Sequence, residues 1–220
     1  NLRKTGQGWS IDTPAAAFCA DNLVMALPVN KSLDLLSEID ASAPLRQIPE
    51  AWIATVVFGF QGAILPPGFG FLIPEAEKRF TLGTLFSSNM FPNRAPEGTI
   101  VFETLVGGKR HPERLQLDDD ELTRRSLADL RGLLELPSSP EFTRVLRPEG
   151  GIPQLESGYP ALLDWRNNLV RAGKGLYICG FGWDGIGIND MIKTATSTAD
   201  RIISQDSQQQ QEAEMKKIYF

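Results

Sequence analysis

Leu176-Tyr177-Ile178-Cys179-Gly180-Phe181-Gly182-Trp183-Asp184-Gly185-Ile186-Gly187-Ile188-Asn189-Asp190 is the stretch from which the fold is read. Leu176 to Cys179 is an apolar run of strand length, a glycine-rich turn follows, and a helix is expected over Asn189 to Ser204. Gly180-x-Gly182-x-x-Gly185 has the spacing of a dinucleotide-binding turn. Such glycines permit a tight bend and close backbone approach to a pyrophosphate, and the helix behind them offers free amides at a positive dipole end. A complete βαβ unit would place a second strand with an acidic residue within about 30 residues. Here the chain runs instead into Gln205 to Phe220, a low-complexity tail containing Gln208 to Gln211. The turn is therefore expected to close a nucleotide fold, presenting amides to a cofactor without forming the whole site. A purely structural turn accounts for the spacing equally well.

Working outward, Tyr159 to Ala172 is expected to be helical and Gly173 to Gly175 to break it. Near the start, Trp9 to Asp12 reads as a strand and Ala20 to Pro28 as a buried strand closed by proline. Asn30 is placed to cap a helix over Lys31 to Ile39, where Leu35, Leu36 and Ile39 recur at helical spacing. Pro44 and Pro49 punctuate a linker. Trp52 to Phe60, Gly68 to Pro74, Phe80 to Ser87 and Thr99 to Val106 then read as an antiparallel sheet, and Phe142 to Leu146 as a further strand. Between them, Asp118 to Glu121 supply the acidic first turn of a helix with the stripe Leu122, Leu127, Leu130, Leu133 and Leu134, stopped by Pro137. The expected fold class is α/β plus α+β, with an antiparallel-sheet domain inserted into a discontinuous nucleotide-fold domain. The boundaries are drawn at 1–45, 46–147 and 148–204, with the tail at 205–220.

Of the 220 residues, 42% are hydrophobic and 22% charged, which excludes a wholly disordered chain. A net charge of −5 argues against nucleic acid as a partner, because such binding needs a basic face. Two cysteines, Cys19 and Cys179, and one histidine, His111, exclude a zinc finger, a disulfide scaffold and a multi-histidine metal centre, so no metal is expected. Both cysteines lie in apolar runs and are expected to be buried thiols, and His111 to be a solvated surface residue. Asn1 to Gly6 has no apolar stretch after its positive charges, so no signal peptide is expected. With no initiator Met, a processed or truncated chain is expected. Ala51 to Pro74 carries no charge for 24 residues. About 20 apolar residues span a bilayer. The interrupting Pro66-Pro67-Gly68 makes two buried strands joined by a turn the better reading.

Several segments, in order, resemble the FAD-dependent protoporphyrinogen oxidases of the flavin amine oxidase superfamily. Ala20 to Pro28 resembles the family's ADxVVxAxP strand, and Gly68 to Pro74 its GFGxLxP strand. Leu82 to Ser88 with Phe91 to Pro96 resembles LGxLFSSxxFPxRAP, and Thr104 to Gly108 resembles TFVGG. Ile152-Pro153-Gln154 resembles IPQY, and Gly185 to Asp190 the closing GVxxND turn. The resemblance covers about residues 9–203. It is to the C-terminal half of the family only, without the opening GxGxxG motif for the FAD pyrophosphate or the early arginine near the substrate propionate. It therefore implies a fragment or one member of a split enzyme, the C-terminal part of an FAD-binding Rossmann-like domain with an inserted substrate domain.

The resemblance implies FAD as cofactor and conversion of protoporphyrinogen IX, or a related tetrapyrrole, to the porphyrin in haem biosynthesis. Catalytic residues stay unassigned. It implies that Gly185, Ile186 and Gly187 lie against the flavin end of FAD, and that Leu72, Leu85 and Leu105 line the tetrapyrrole pocket. The family commonly has an aromatic residue at Leu105, a tryptophan at Pro148 and a tyrosine at Leu155. Implied partners are a complementary N-terminal FAD-binding chain, a homodimer and a peripheral membrane contact, with a cytoplasmic or organellar-matrix location. Trp183 and Asp184 stand open between cofactor contact and packing, and Arg94 between a ligand carboxylate and a surface ion pair. The rival readings are another flavin enzyme, such as an amine oxidase or carotenoid desaturase, and a non-catalytic fragment that binds a partner chain or a porphyrin.

Overall fold

The computed structural model describes residues 1–6, 8–137, 139–147 and 149–204. In chain order the elements are β1 (Leu2–Thr5), β2 (Gly8–Asp12), β3 (Ala17–Ala20), β4 (Leu23–Ala26), α1 (Val29–Leu36), β5 (Glu50–Ala51), β6 (Ile53–Gln61), β7 (Gly70–Leu72), β8 (Gly83–Leu85), α2 (Ser87–Met90) and β9 (Thr99–Gly107). They continue with α3 (Asp119–Arg131), β10 (Phe142–Leu146), β11 (Ile152–Pro153), α4 (Tyr159–Ala172), β12 (Leu176–Cys179) and α5 (Ile188–Ser204). The chain divides into two units, one from 1–49 with 153–220 and one from 50–152.

In the unit spanning 50–152, strand alternation decides everything. The sheet order is β10-β6-β9-β8-β7, with all four neighbouring pairs antiparallel. Successive side chains point to opposite faces. Ala54, Val56, Phe58 and Phe60 of β6 therefore share a face with Phe102, Thr104 and Val106 of β9, and all are buried. Phe58, Phe60 and Phe102 meet with ring centroids 5.8–6.4 Å apart. Thr84 and Thr104, opposite in register, satisfy each other through their hydroxyls at 3.1 Å. Leu122 and Leu130 of α3 complete this core. Asp118 caps α3 by accepting from the Glu121 amide at 2.8 Å. The helix ends at Arg131 with Gly132 as its cap, earlier than Pro137 predicts, although Leu134 and Leu136 still pack on the core. The strands at Gly68 to Pro74 and Phe80 to Ser87 shrink to three residues each, because α2 begins at Ser87 and a short 3-10 turn occupies Glu75–Glu77.

In the other unit, β1-β2-β3 form an antiparallel sheet, and β12 pairs parallel with β4 in the register Leu176↔Leu23 to Cys179↔Ala26. All four β12 residues are buried, as strands covered on both faces are. The expectation of a buried strand over Ala20 to Pro28 needs correction. Only Met25 of β4 is buried, while Val24 is 45% exposed, since one face alone is packed. Cys19 also departs from expectation and is exposed, because all of β3 lies at the edge of its sheet. Cys179 is buried, and burial pushes its thiol up, so it stays protonated and a poor nucleophile. Asn30 does not cap α1. It lies inside the helix, and its amide instead donates to the Ile48 carbonyl at 2.9 Å and accepts from the Ile48 amide at 2.7 Å. The core gathers Trp9, Met25, Leu36, Leu162, Trp165, Ile178 and Trp183. The tail at 205–220 and Pro148 lie outside the described residues. Among the described residues no helix is long and apolar enough to cross a membrane.

Two outcomes are expected. Leu122→Ala, at a fully enclosed site, should destabilise its unit by about 2–5 kcal/mol in urea unfolding; a loss well under 1 kcal/mol contradicts the packing. Arg124 first, then Arg125, hold the Glu121 carboxyl down from 4.5 to about 2. Because the folded value is depressed, this contribution is present above pH 4.5 and is lost as pH falls toward 2. Thermal melts of Glu121→Gln should lie below wild type at neutral pH and converge with it near pH 2.

Candidate cofactor-binding turn and ligand face

The turn from Gly180 to Gly187 joins β12 to α5, and Gly180, Gly182 and Gly185 are each demanded by their backbone angle and by what the chain places beside them. Gly180, Gly182 and Gly185 have φ of 120°, 90° and 140°. A Cβ on Gly180 would come 2.5 Å from the Leu27 carbonyl oxygen, and one on Gly182 2.8 Å from Pro153 and Val29. A Cβ on Gly185 would come 2.6 Å from Asp190 Oδ2, and one on Gly187 3.1 Å from the same atom. The inner side of the turn is thus filled by the Asp190 carboxylate, in the first turn of α5. The outer side is open, with Ile186 45% and Ile188 70% exposed.

This arrangement has a chemical consequence. The first amides of α5 have no intrahelical acceptor and carry a positive dipole end. Asp190 already sets a negative charge against that end. The turn therefore suits the polar edge of a neutral ring better than a bare pyrophosphate.

The turn is anchored from behind. Trp183 is fully buried, and its Nε1 donates to Ser32 Oγ at 3.2 Å. The Tyr159 hydroxyl donates to the carbonyls of Gly182 and Trp183, the latter at 2.6 Å. Burial first, and Asp184 second, push the Tyr159 phenol up, so it remains a donor. Arg166 Nη1 lies 2.8 Å from both Asp184 carboxylate oxygens, and the guanidinium sits over the Trp183 ring, 5.6 Å from its centroid. Packing thus accounts for Trp183 and an ion pair for Asp184. Sequence reasoning missed Tyr159 and Arg166. The signal was there: Arg166 falls on the apolar stripe of α4, four residues after Leu162 and seven after Tyr159.

In the other unit, the three leucines singled out from the sequence fall on one face of the sheet, opposite the phenylalanine core. Leu72 is opposite Gly83, which is opposite Leu105, and Leu85 is two residues beyond Gly83. Gly83 leaves room in this row: a Cβ there would come 2.9 Å from Leu72 Cδ2. Leu72 is 78% exposed, and Leu85 and Leu105 are half-buried. Ile53, Thr55 and Val57 extend the face on β6. Glu103, on the same face, accepts from Ser87 Oγ at 2.9 Å.

The remaining candidates are placed as follows. His111 is a surface residue, partly covered rather than fully solvated. Its side chain is 20% exposed, with Nε2 3.1 Å from Glu75 and Nδ1 3.4 Å from Glu113, because the loop folds it between two carboxylates. Arg94 lies over the Phe91 ring, 4.8 Å from its centroid. Leu155 packs half-buried against the core. Among the described residues, no group of three or more His, Cys, Asp or Glu is placed to hold a metal ion.

Comparison with known proteins bears on both features. The family model described as flavin containing amine oxidoreductase matches residues 6–203. Protoporphyrinogen oxidase 1, chloroplastic, of Arabidopsis thaliana is 34% identical over 216 residues, covering 90% of this chain and 40% of that protein. Coproporphyrinogen III oxidase of Bacillus subtilis (strain 168) is 28% identical over 206 residues, covering 90% and 44%. A solved structure of a candidate protoporphyrinogen oxidase from Exiguobacterium sp. 255-15 superposes with a TM-score of 0.79 at 21% identity, covering 93% of this chain and 46% of that one. Reduced UDP-galactopyranose mutase superposes with a TM-score of 0.71 at 16% identity, covering 90% and 44%. The chain spans less than half the length of these relatives. Their fold is mixed α/β, as here. With the family model matched across both units, the chain belongs to the flavin-containing amine oxidoreductases, whose cofactor is FAD, and is protoporphyrinogen oxidase-like among them.

Proposed function

We propose that this chain forms part of an FAD-dependent oxidase that converts protoporphyrinogen IX, or a closely related porphyrinogen, to the porphyrin. The observation that carries this reading is the convergence of Leu72, Leu85 and Leu105 on one open sheet face, with Gly83 keeping the row low. A broad apolar face suits a large flat macrocycle. Leu105 offers aliphatic contact where an aromatic residue would stack.

The turn supports the cofactor half of the reading. Amides at Gly185, Ile186 and Gly187 would meet the ring edge of the flavin, and the bulk of Asp190 behind them keeps that backbone forward. When bound, FAD accepts hydride equivalents from the substrate and supplies the redox chemistry. The described residues hold the ring and wall the substrate, which fits a site with few acid–base groups.

The pyrophosphate end calls for a second polypeptide segment, and the unit carrying the turn has surface to receive one. Ile188, Ile192 and Ile203 of α5 are 70%, 59% and 80% exposed, and Val24 and Leu27 are 45% and 36% exposed. Exposed apolar residues that lie side by side mark an interaction surface, and Ile188 and Ile192 lie one helical turn apart on α5. A polypeptide segment bearing the pyrophosphate motif is the proposed occupant. A non-catalytic role as its binding half is the second reading, favoured by the same surface.

Two measurements test the proposal. Natively purified protein should show a flavin band in the visible that bleaches anaerobically on adding porphyrinogen. A flavin band that porphyrinogen leaves unchanged contradicts the substrate. Leu105→Ala should raise KM roughly tenfold with flavin content unchanged, the scale expected for lost apolar wall; an unaltered KM removes Leu105 from the pocket.

A further inference from the structure

Arg166 is 6% exposed and fully engaged. Its Nη1 reaches both oxygens of Asp184, and its Nε and Nη2 bond Asn167 Oδ1 at 3.2 and 3.0 Å. The Asp184 side chain is 20% exposed. A pair so deeply placed is weak evidence for stability, because the cost of removing two charges from water offsets their attraction, and apolar residues of similar size often serve as well. Nor is the pair needed to bury the turn's anchor. Trp183 is enclosed by the core and held at Ser32, and Tyr159 ties down the carbonyls of residues 182 and 183.

What the pair adds is restraint one residue further along. Asp184 stands directly before Gly185-Ile186-Gly187, where Gly185 sits at φ 140° and the backbone is held only through the carbonyls of its two glycines, Gly185 accepting from Gly182 and Gly187 from Asp190 and Met191, among the backbone bonds of the described residues. Tyr159 does not reach this segment in the bonds it makes. A planar guanidinium fixes orientation as well as position, which an ammonium does not.

We infer that the Arg166–Asp184 ion pair is a positioning device for the flavin, holding residues 184–187 where their amides meet the ring edge. This rests on the reading of the turn given above. Arg166 and Asp184 act through the backbone and are positioning residues, not catalytic ones.

Three variants of the full chain test it: Arg166→Lys, Asp184→Asn, and the double variant Arg166→Met/Asp184→Leu. The double variant removes both charges and should melt at or near the wild-type temperature. Backbone amide order parameters of residues 184–187, from NMR relaxation, are read without flavin. Flavin affinity and the position of the visible flavin band are read in the flavin-loaded protein, with the segment that holds the pyrophosphate supplied. The double variant should carry residues 184–187 from the rigid into the flexible range, bind flavin at least tenfold more weakly and show a displaced band. Arg166→Lys and Asp184→Asn should fall between it and wild type, and they decide the matter if the double variant fails to fold. Wild-type order with wild-type affinity in folded variants overturns the role of the pair alone. So does weakened binding with unchanged order, which would mean a direct charge effect. A wild-type protein that takes up no flavin with that segment supplied overturns the reading of the turn itself.

Discussion

The indole of Trp183 is fully enclosed, and the glycine turn can run only where that ring allows. One side of the ring meets the apolar core of α1, α4 and β12, and its nitrogen is satisfied by Ser32 on α1. Arg166 lies over the ring and Tyr159 grips the carbonyl of the same residue, both from α4. A buried indole with its N–H satisfied is a fixed point, because shifting it costs both packing and a hydrogen bond. Gly180 and Gly182 then pass so close to Leu27, Pro153 and Val29 that a Cβ on either would come within 3 Å of them. The glycines are consequences of this fixed point before they are anything else. Their proposed use toward a cofactor rests on what remains open around the exposed Ile186.

The sheet in the other unit shows the same economy. Period-two alternation along β6 and β9 commits one face to phenylalanine and threonine and the other to the aliphatic row ending in Leu72 and Leu105. A slip of one residue would exchange the faces. Phe58 opposite Phe102 forbids it, since a slip of either strand would turn its own ring out of the core. The position of the candidate ligand face is thus set by the core on its reverse side.

Much of this was legible in the residues. The helix at Tyr159–Ala172 and the strand at Leu176–Cys179 end where glycine and proline chemistry places their ends. The β-rich middle was visible in its turn spacing, and the leucines in the resemblance. Less legible was anything decided by distant partners. Asn30 has the chemistry of a cap, yet Ile48 outbids the local amides with two bonds. Cys19 sits in an apolar run whose strand lies at a sheet edge. His111 looks solvated until Glu75 and Glu113 close around it. Arg166 is a charge whose burial depends on Asp184, 18 residues away, and no local pattern announces the partner.

The central claim is that residues 185–187 hold the ring end of FAD. The most direct measurement is a crystal structure of the flavin-loaded protein. The account predicts the isoalloxazine edge within hydrogen-bond distance of the amides of this segment, with Asp190 still behind Gly185 and Gly187. A flavin ring seated elsewhere, or a turn that touches only the pyrophosphate, would contradict it.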